Sequence, residues 1–63
     1  MTGTIKTLLS EKKCGFIRSN GIDYFFHMSA LKNAKFDDLQ RGQEVTFEDA
    51  EGTKGPRAED IFV

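Results

Sequence analysis

The chain has 63 residues, a formal net charge of −1, and a composition that is 38% hydrophobic and 30% charged. That suits one small globular domain around a single compact core, and no apolar run approaches the ~20 residues a membrane span needs. The only cysteine, Cys14, excludes an internal disulfide and a multi-cysteine zinc site. It fits a reducing cytoplasm, and the N-terminus lacks the long apolar centre of a signal peptide.

The first strand is predicted over residues 4–10, with Ile5 turned to the core and Thr4 and Lys6 outward. Residues 13–19 alternate as a second strand, with Gly15 and Ile17 on one face and Cys14 and Phe16 on the other. Asn20-Gly21 is a tight-turn signal, because both residues tolerate positive φ. A third strand follows over residues 22–28. Ile22, Tyr24 and Phe26 point one way, and Phe25 and His27 the other. Ser29-Ala30-Leu31 breaks the alternation and reads as one helical turn that drops Leu31 into the core. Residues 32–43 form a long connection whose only large apolar residues are Phe36 and Leu39. Residues 44–48 alternate cleanly as the fourth strand. Two glycines and the sole proline mark residues 51–56 as a turn. The fifth strand covers residues 57–63, with Ala58, Ile61 and Val63 as expected buried positions.

Five short strands separated by turn residues, without a long helical period, repeat or linker, predict a small all-β antiparallel barrel. Closure suits so short a chain, because an open sheet would leave exposed edges.

Pairing the second and third strands as a hairpin gathers Phe16, Phe25 and His27 on one face. Planar rings on the outside of a sheet suit the stacking of unpaired nucleobases. The charge distribution favours the same side. Residues 1–18 hold Lys6, Lys12, Lys13 and Arg18 for a local balance of +3, whereas residues 37–63 carry −5. A dipolar arrangement of this kind orients a charged ligand. Phe36, on a loop, is either a rim contact or a cap on the barrel. His27 is not read as a metal ligand, since no second histidine or cysteine cluster accompanies it. One histidine, no catalytic-looking carboxylate pair and no phosphate-cradling loop argue against an enzyme and against a cofactor.

These residues resemble the bacterial cold-shock proteins along nearly the whole chain. Gly3-Thr4-Ile5-Lys6 is similar to the start of that family's first strand. Ser10-Glu11-Lys12-Lys13-Cys14-Gly15-Phe16-Ile17 resembles its first ribonucleoprotein motif, and Asp23-Tyr24-Phe25-Phe26-His27-Met28-Ser29-Ala30-Leu31 its second. Gly42-Gln43-Glu44-Val45-Thr46-Phe47-Glu48 and Gly52-Thr53-Lys54-Gly55-Pro56-Arg57-Ala58 resemble its closing segments. The resemblance implies a single cold-shock domain over residues 1–63, a five-stranded Greek-key barrel of the oligonucleotide-binding (OB) type. It also implies binding of single-stranded RNA or DNA on the face of the first three strands. Phe16, Phe25, His27 and Phe36 match stacking positions, Lys6 and Lys12 match positions near phosphates, and Lys54 falls where a basic turn residue is common. Lys13 stands where the family has glycine and adds a cation.

Four aromatic positions of the family are replaced, by Thr7, Leu8, Cys14 and Met28. Each stacked base is worth roughly 1–3 kcal/mol by alanine substitution, so weaker and more salt-sensitive binding than in a full-platform relative is expected. The same replacements suggest an apolar patch of Leu8, Cys14 and Met28. That patch motivates a second reading, a diverged barrel serving as a protein-interaction module. The expectation is a cytoplasmic monomer with no membrane contact.

Overall fold

Alternation and turn chemistry produce five strands in the computed structural model, which describes residues 1–52 and 55–63. They are β1 (Thr2–Leu9), β2 (Cys14–Ser19), β3 (Ile22–His27), β4 (Glu44–Gly52) and β5 (Gly55–Phe62). Single turns of 3-10 helix lie at Met28–Ala30 and Phe36–Asp38. The sheet closes on itself in the order β1-β2-β3-β5-β4. Four seams are antiparallel, and the closing seam between β3 and β5 is parallel, where Phe25 pairs with Arg57. No helix among the described residues is long and apolar enough to cross a membrane.

The turn expected at Asn20-Gly21 forms with φ of 53° and 78°. Positive φ at both residues gives the twist that a two-residue hairpin needs, and β2 and β3 pair without a break from Cys14↔His27 to Ser19↔Ile22. β1 serves two partners. Thr2 to Thr4 pair with β4, and Thr4 to Leu9 run against β2. The register slips between Ile5 and Thr7, opposite Ile17 and Phe16, which makes Lys6 the extra residue of a bulge. The slip brings Leu8 round to the inner side, where it is half-buried against the core, and turns Leu9 outward.

Ile17 and Phe26 are fully enclosed, with Ile5, Tyr24, Val45, Phe47, Ala58 and Ile61 around them. Tyr24 and Phe47 pack ring to ring at 5.1 Å. Leu31 leaves the 3-10 turn half-buried and bridges to Ile61. Phe36 and Leu39, from the long connection, are buried in the core as well.

Three expectations change. β4 extends well past residue 48 and β1 starts at Thr2, because ladder pairing continues where side-chain alternation is weak. Val63 is 43% exposed rather than buried. A bulge in β5, with Asp60 at φ 50°, breaks the alternation, so Ala58 and Ile61 both face inward and Phe62 turns out. Ile22 is 45% exposed, since it opens β3 at the barrel mouth beside the turn.

The tightest constraint lies at Gly15, opposite Leu8 in the register. A Cβ there would collide with the Thr7 carbonyl and lie 3.0 Å from the Phe26 ring. Backbone and core ring would both have to move, and overpacking of this kind costs about 1–3 kcal/mol. Gly15→Ala is therefore expected to lower the unfolding free energy by about 1–3 kcal/mol or more, read from urea denaturation followed by circular dichroism.

Candidate nucleic-acid interface

Cross-strand pairing arranges the outer face of β1–β3 in three rows. The first holds Thr4, Arg18 and Asp23, the second Thr7, Phe16 and Phe25, and the third Leu9, Cys14 and His27. Directly paired residues in a sheet project to the same side, so each row is a line of neighbours. The middle row continues across the closing seam to Arg57 on β5.

Phe16 and Phe25 are half-buried and meet edge to face, with centroids 5.8 Å apart and planes at 70°. Each ring braces the other and keeps part of its surface toward solvent. The edge-to-face contact fixes both rings by packing alone. His27 stands half-buried beside them. Its Nδ1 accepts from the Ser29 backbone N–H at 3.3 Å, with the Ser29 hydroxyl 3.2 Å away. This bond caps the 3-10 turn and places the proton of the neutral ring on Nε2. His27 is thus oriented, not merely exposed.

The cations are less available than their count suggests. Lys6, on the bulge, donates to Asp23 Oδ2 at 2.9 Å, and Arg18 Nε lies 3.5 Å from Oδ1 of the same carboxylate. The Lys6 hydrogen bond, above all, holds the Asp23 carboxyl below its ordinary value of 3.8; desolvation opposes it, and the charges of Lys6 and Arg18 add to the lowering. Lys13 donates to Asp37 at 2.8 Å and lies 5.7 Å from the Phe36 ring centroid. Asp37 is likewise lowered, chiefly by the Lys13 hydrogen bond. Lys13 has φ 53°, a left-handed conformation in which glycine is the unstrained residue. Lys12 is exposed in the turn after β1 and takes part in none of the ion pairs among the described residues. Lys54 lies outside the described residues.

Two sequence readings of the site are corrected. Phe36 is not a surface ring: it is 7% exposed and packs against Phe26 at 6.3 Å. Only its rim reaches a shallow hollow of about 330 Å³ shared with Lys13, Met28 and Lys35. The patch of Leu8, Cys14 and Met28 does not form. The bulge turns Leu8 inward, Cys14 is 6% exposed between its paired neighbours Leu9 and His27, and Met28 alone is open, at 48%. Sequence reasoning missed Arg57, because β5 reaches the face only through barrel closure.

A closed five-stranded barrel with paired rings across β2 and β3 is the architecture of oligonucleotide-binding folds. The whole chain, residues 1–63, matches the family described as the 'Cold-shock' DNA-binding domain. The cold shock-like protein CspLB of Listeria monocytogenes is 48% identical over 61 residues, 95% of this chain and 92% of that protein. The cold shock protein ScoF of Streptomyces coelicolor is 45% identical over 62 residues, with 95% and 92% covered. The major cold shock protein of a Streptococcus pyogenes strain is 45% identical over 60 residues, with 94% and 90% covered. The chain belongs to the cold-shock domain family.

The ion pairs have a pH signature. A carboxyl with a lowered folded-state pKa contributes stability above its unfolded value, and loses that contribution as pH falls through the folded value. For Asp23 and Asp37 the loss falls below pH 3.8. Carboxyl-carbon NMR titration should give both residues midpoints under 3.8, and Lys6→Met should return Asp23 toward its ordinary value.

Proposed function

We propose that this protein binds single-stranded RNA or DNA by stacking bases on the outer face of β1–β3. The observation that supports this most directly is the braced pair Phe16 and Phe25, flanked by His27, on a surface that nothing among the described residues covers completely. Rings with solvent-facing area suit sequence-tolerant stacking. The DNA-binding description of the matched family points the same way. The protein is read as a binding module, with no reaction assigned to it.

Binding is weaker than on a full set of rings. Thr7 is directly paired with Phe16 and Cys14 with His27, so two places beside the rings lack an aromatic plane. Met28 leaves a third. Leu8 is not a fourth loss, since it faces the core. The phosphate side is restrained too. Lys6, Arg18 and Lys13 are engaged by Asp23 and Asp37, and a phosphate has to compete for them.

A short thymidine strand titrated into labelled protein should move the amide signals of Phe16, Phe25 and His27 first. Unmoved signals at millimolar ligand would end this reading. Phe16→Ala should weaken binding by about 1–3 kcal/mol, the cost of one lost stacking contact. Thr7→Trp, which places a ring next to Phe16, should strengthen it by a similar amount, read as tryptophan fluorescence quenching. Asp37→Asn releases Lys13, and should tighten binding at low salt while steepening the salt dependence by up to ~0.7 in log K per log salt, the increment for one added single-strand phosphate contact.

A further inference from the structure

Arg57 is the one member of the face that comes from β5, and its surroundings are unusual for a surface arginine. Its guanidinium carbon lies 6.0 Å from the centroid of the Phe25 ring, its directly paired neighbour. Its Nε is shielded from water and has no hydrogen-bond partner among the described residues. Its stem runs along β4 over Gly52, where a Cβ would come within 2.7 Å of Cδ and 3.0 Å of Cγ. The glycine leaves the track along which this side chain lies.

The guanidinium carbon lies over the Phe25 ring at 6.0 Å from its centroid, wider than the ~3.5–4.0 Å of a close stacked contact. A base stacked on Phe25 would therefore lie with one edge against the arginine. An arginine fork presents paired donors in one plane and has no acceptor. Guanine answers it with two adjacent acceptors, O6 and N7, and unpaired cytosine with O2 and N3, whereas thymine offers no adjacent pair; of the two, the purine lays the larger face on Phe25. Phosphate also fits an arginine fork, but the local field opposes it. Residues 37–63, which include β4 and β5, carry −5, and a neutral base edge meets no such repulsion.

We propose that Arg57 reads the base stacked on Phe25 and selects guanine there through its O6/N7 edge. This rests on the stacking reading above. It adds a base preference on a surface that stacking alone leaves tolerant.

The test uses the full chain and a seven-thymidine strand, compared with strands whose central base is guanine, 7-deazaguanine or 2-aminopurine. The two analogues lack N7 and O6 respectively. The wild-type chain should prefer the guanine strand roughly 5- to 150-fold over the all-thymidine strand, the range for a bidentate contact, and each analogue should lose most of that preference. Arg57→Lys keeps the charge and removes the fork, so the guanine-to-thymine ratio should fall toward one. Gly52→Ala, which pushes the stem off its track, should lower the same ratio by a second route. A wild-type ratio near one with normal strand binding overturns this inference and leaves the stacking reading intact. So does an Arg57→Gln variant that weakens every strand equally while the salt slope drops by about one contact, the mark of a phosphate ligand. Failure of every strand to bind overturns both.

Discussion

The outer face owes its composition to barrel closure. A lone hairpin of β2 and β3 would show Phe16, Phe25 and His27, but with nothing to fix their tilt or to cover the reverse side. Closure buries that reverse side, with Ile17, Tyr24 and Phe26 at its centre. It also joins β5 to β3 and brings Arg57 beside Phe25. The bulge at Lys6 and the bare backbone of Gly15 let β1 wrap closely enough for the ring of strands to close. The chemistry of the surface thus depends on a steric allowance on its other side.

The same bulge separates what looks alike in the sequence. Thr7, Leu8 and Leu9 are consecutive, and strict alternation from Ile5 would send Thr7 inward and Leu8 out. One extra residue reverses the assignment from that point onward. Thr7 then stands in the row of rings as Phe16's partner, and Leu8 joins the core margin. The three-residue apolar patch read from the sequence does not form for this reason.

Electrostatics tempers the face rather than driving it. With a net charge of −1 and its flanking cations held by Asp23 and Asp37, the protein has little long-range pull on a polyanion. Surface pairs of this kind contribute little to stability, so their larger effect is on the availability of charge. A surface most of whose flanking cations are paired and whose rings are few depends more on each individual contact. In that setting one arginine beside one phenylalanine weighs more than it would on a strongly basic protein.

The sequence by itself determined the strands, the Asn20-Gly21 turn and the gathering of Phe16, Phe25 and His27, because all three follow from side-chain alternation and local backbone preference. Those are properties of residues a few positions apart. Phe36 was undecidable in sequence, since a loop ring caps a core or faces solvent according to what lies beneath it; here Phe26 lies beneath it. The inward turn of Leu8, the exposure of Val63, the aspartates on Lys6 and Lys13, and the place of Arg57 were decided by tertiary structure alone. Bulges shift register without a reliable local signal, and contacts between residues 17 to 32 positions apart exist only once the sheet has closed.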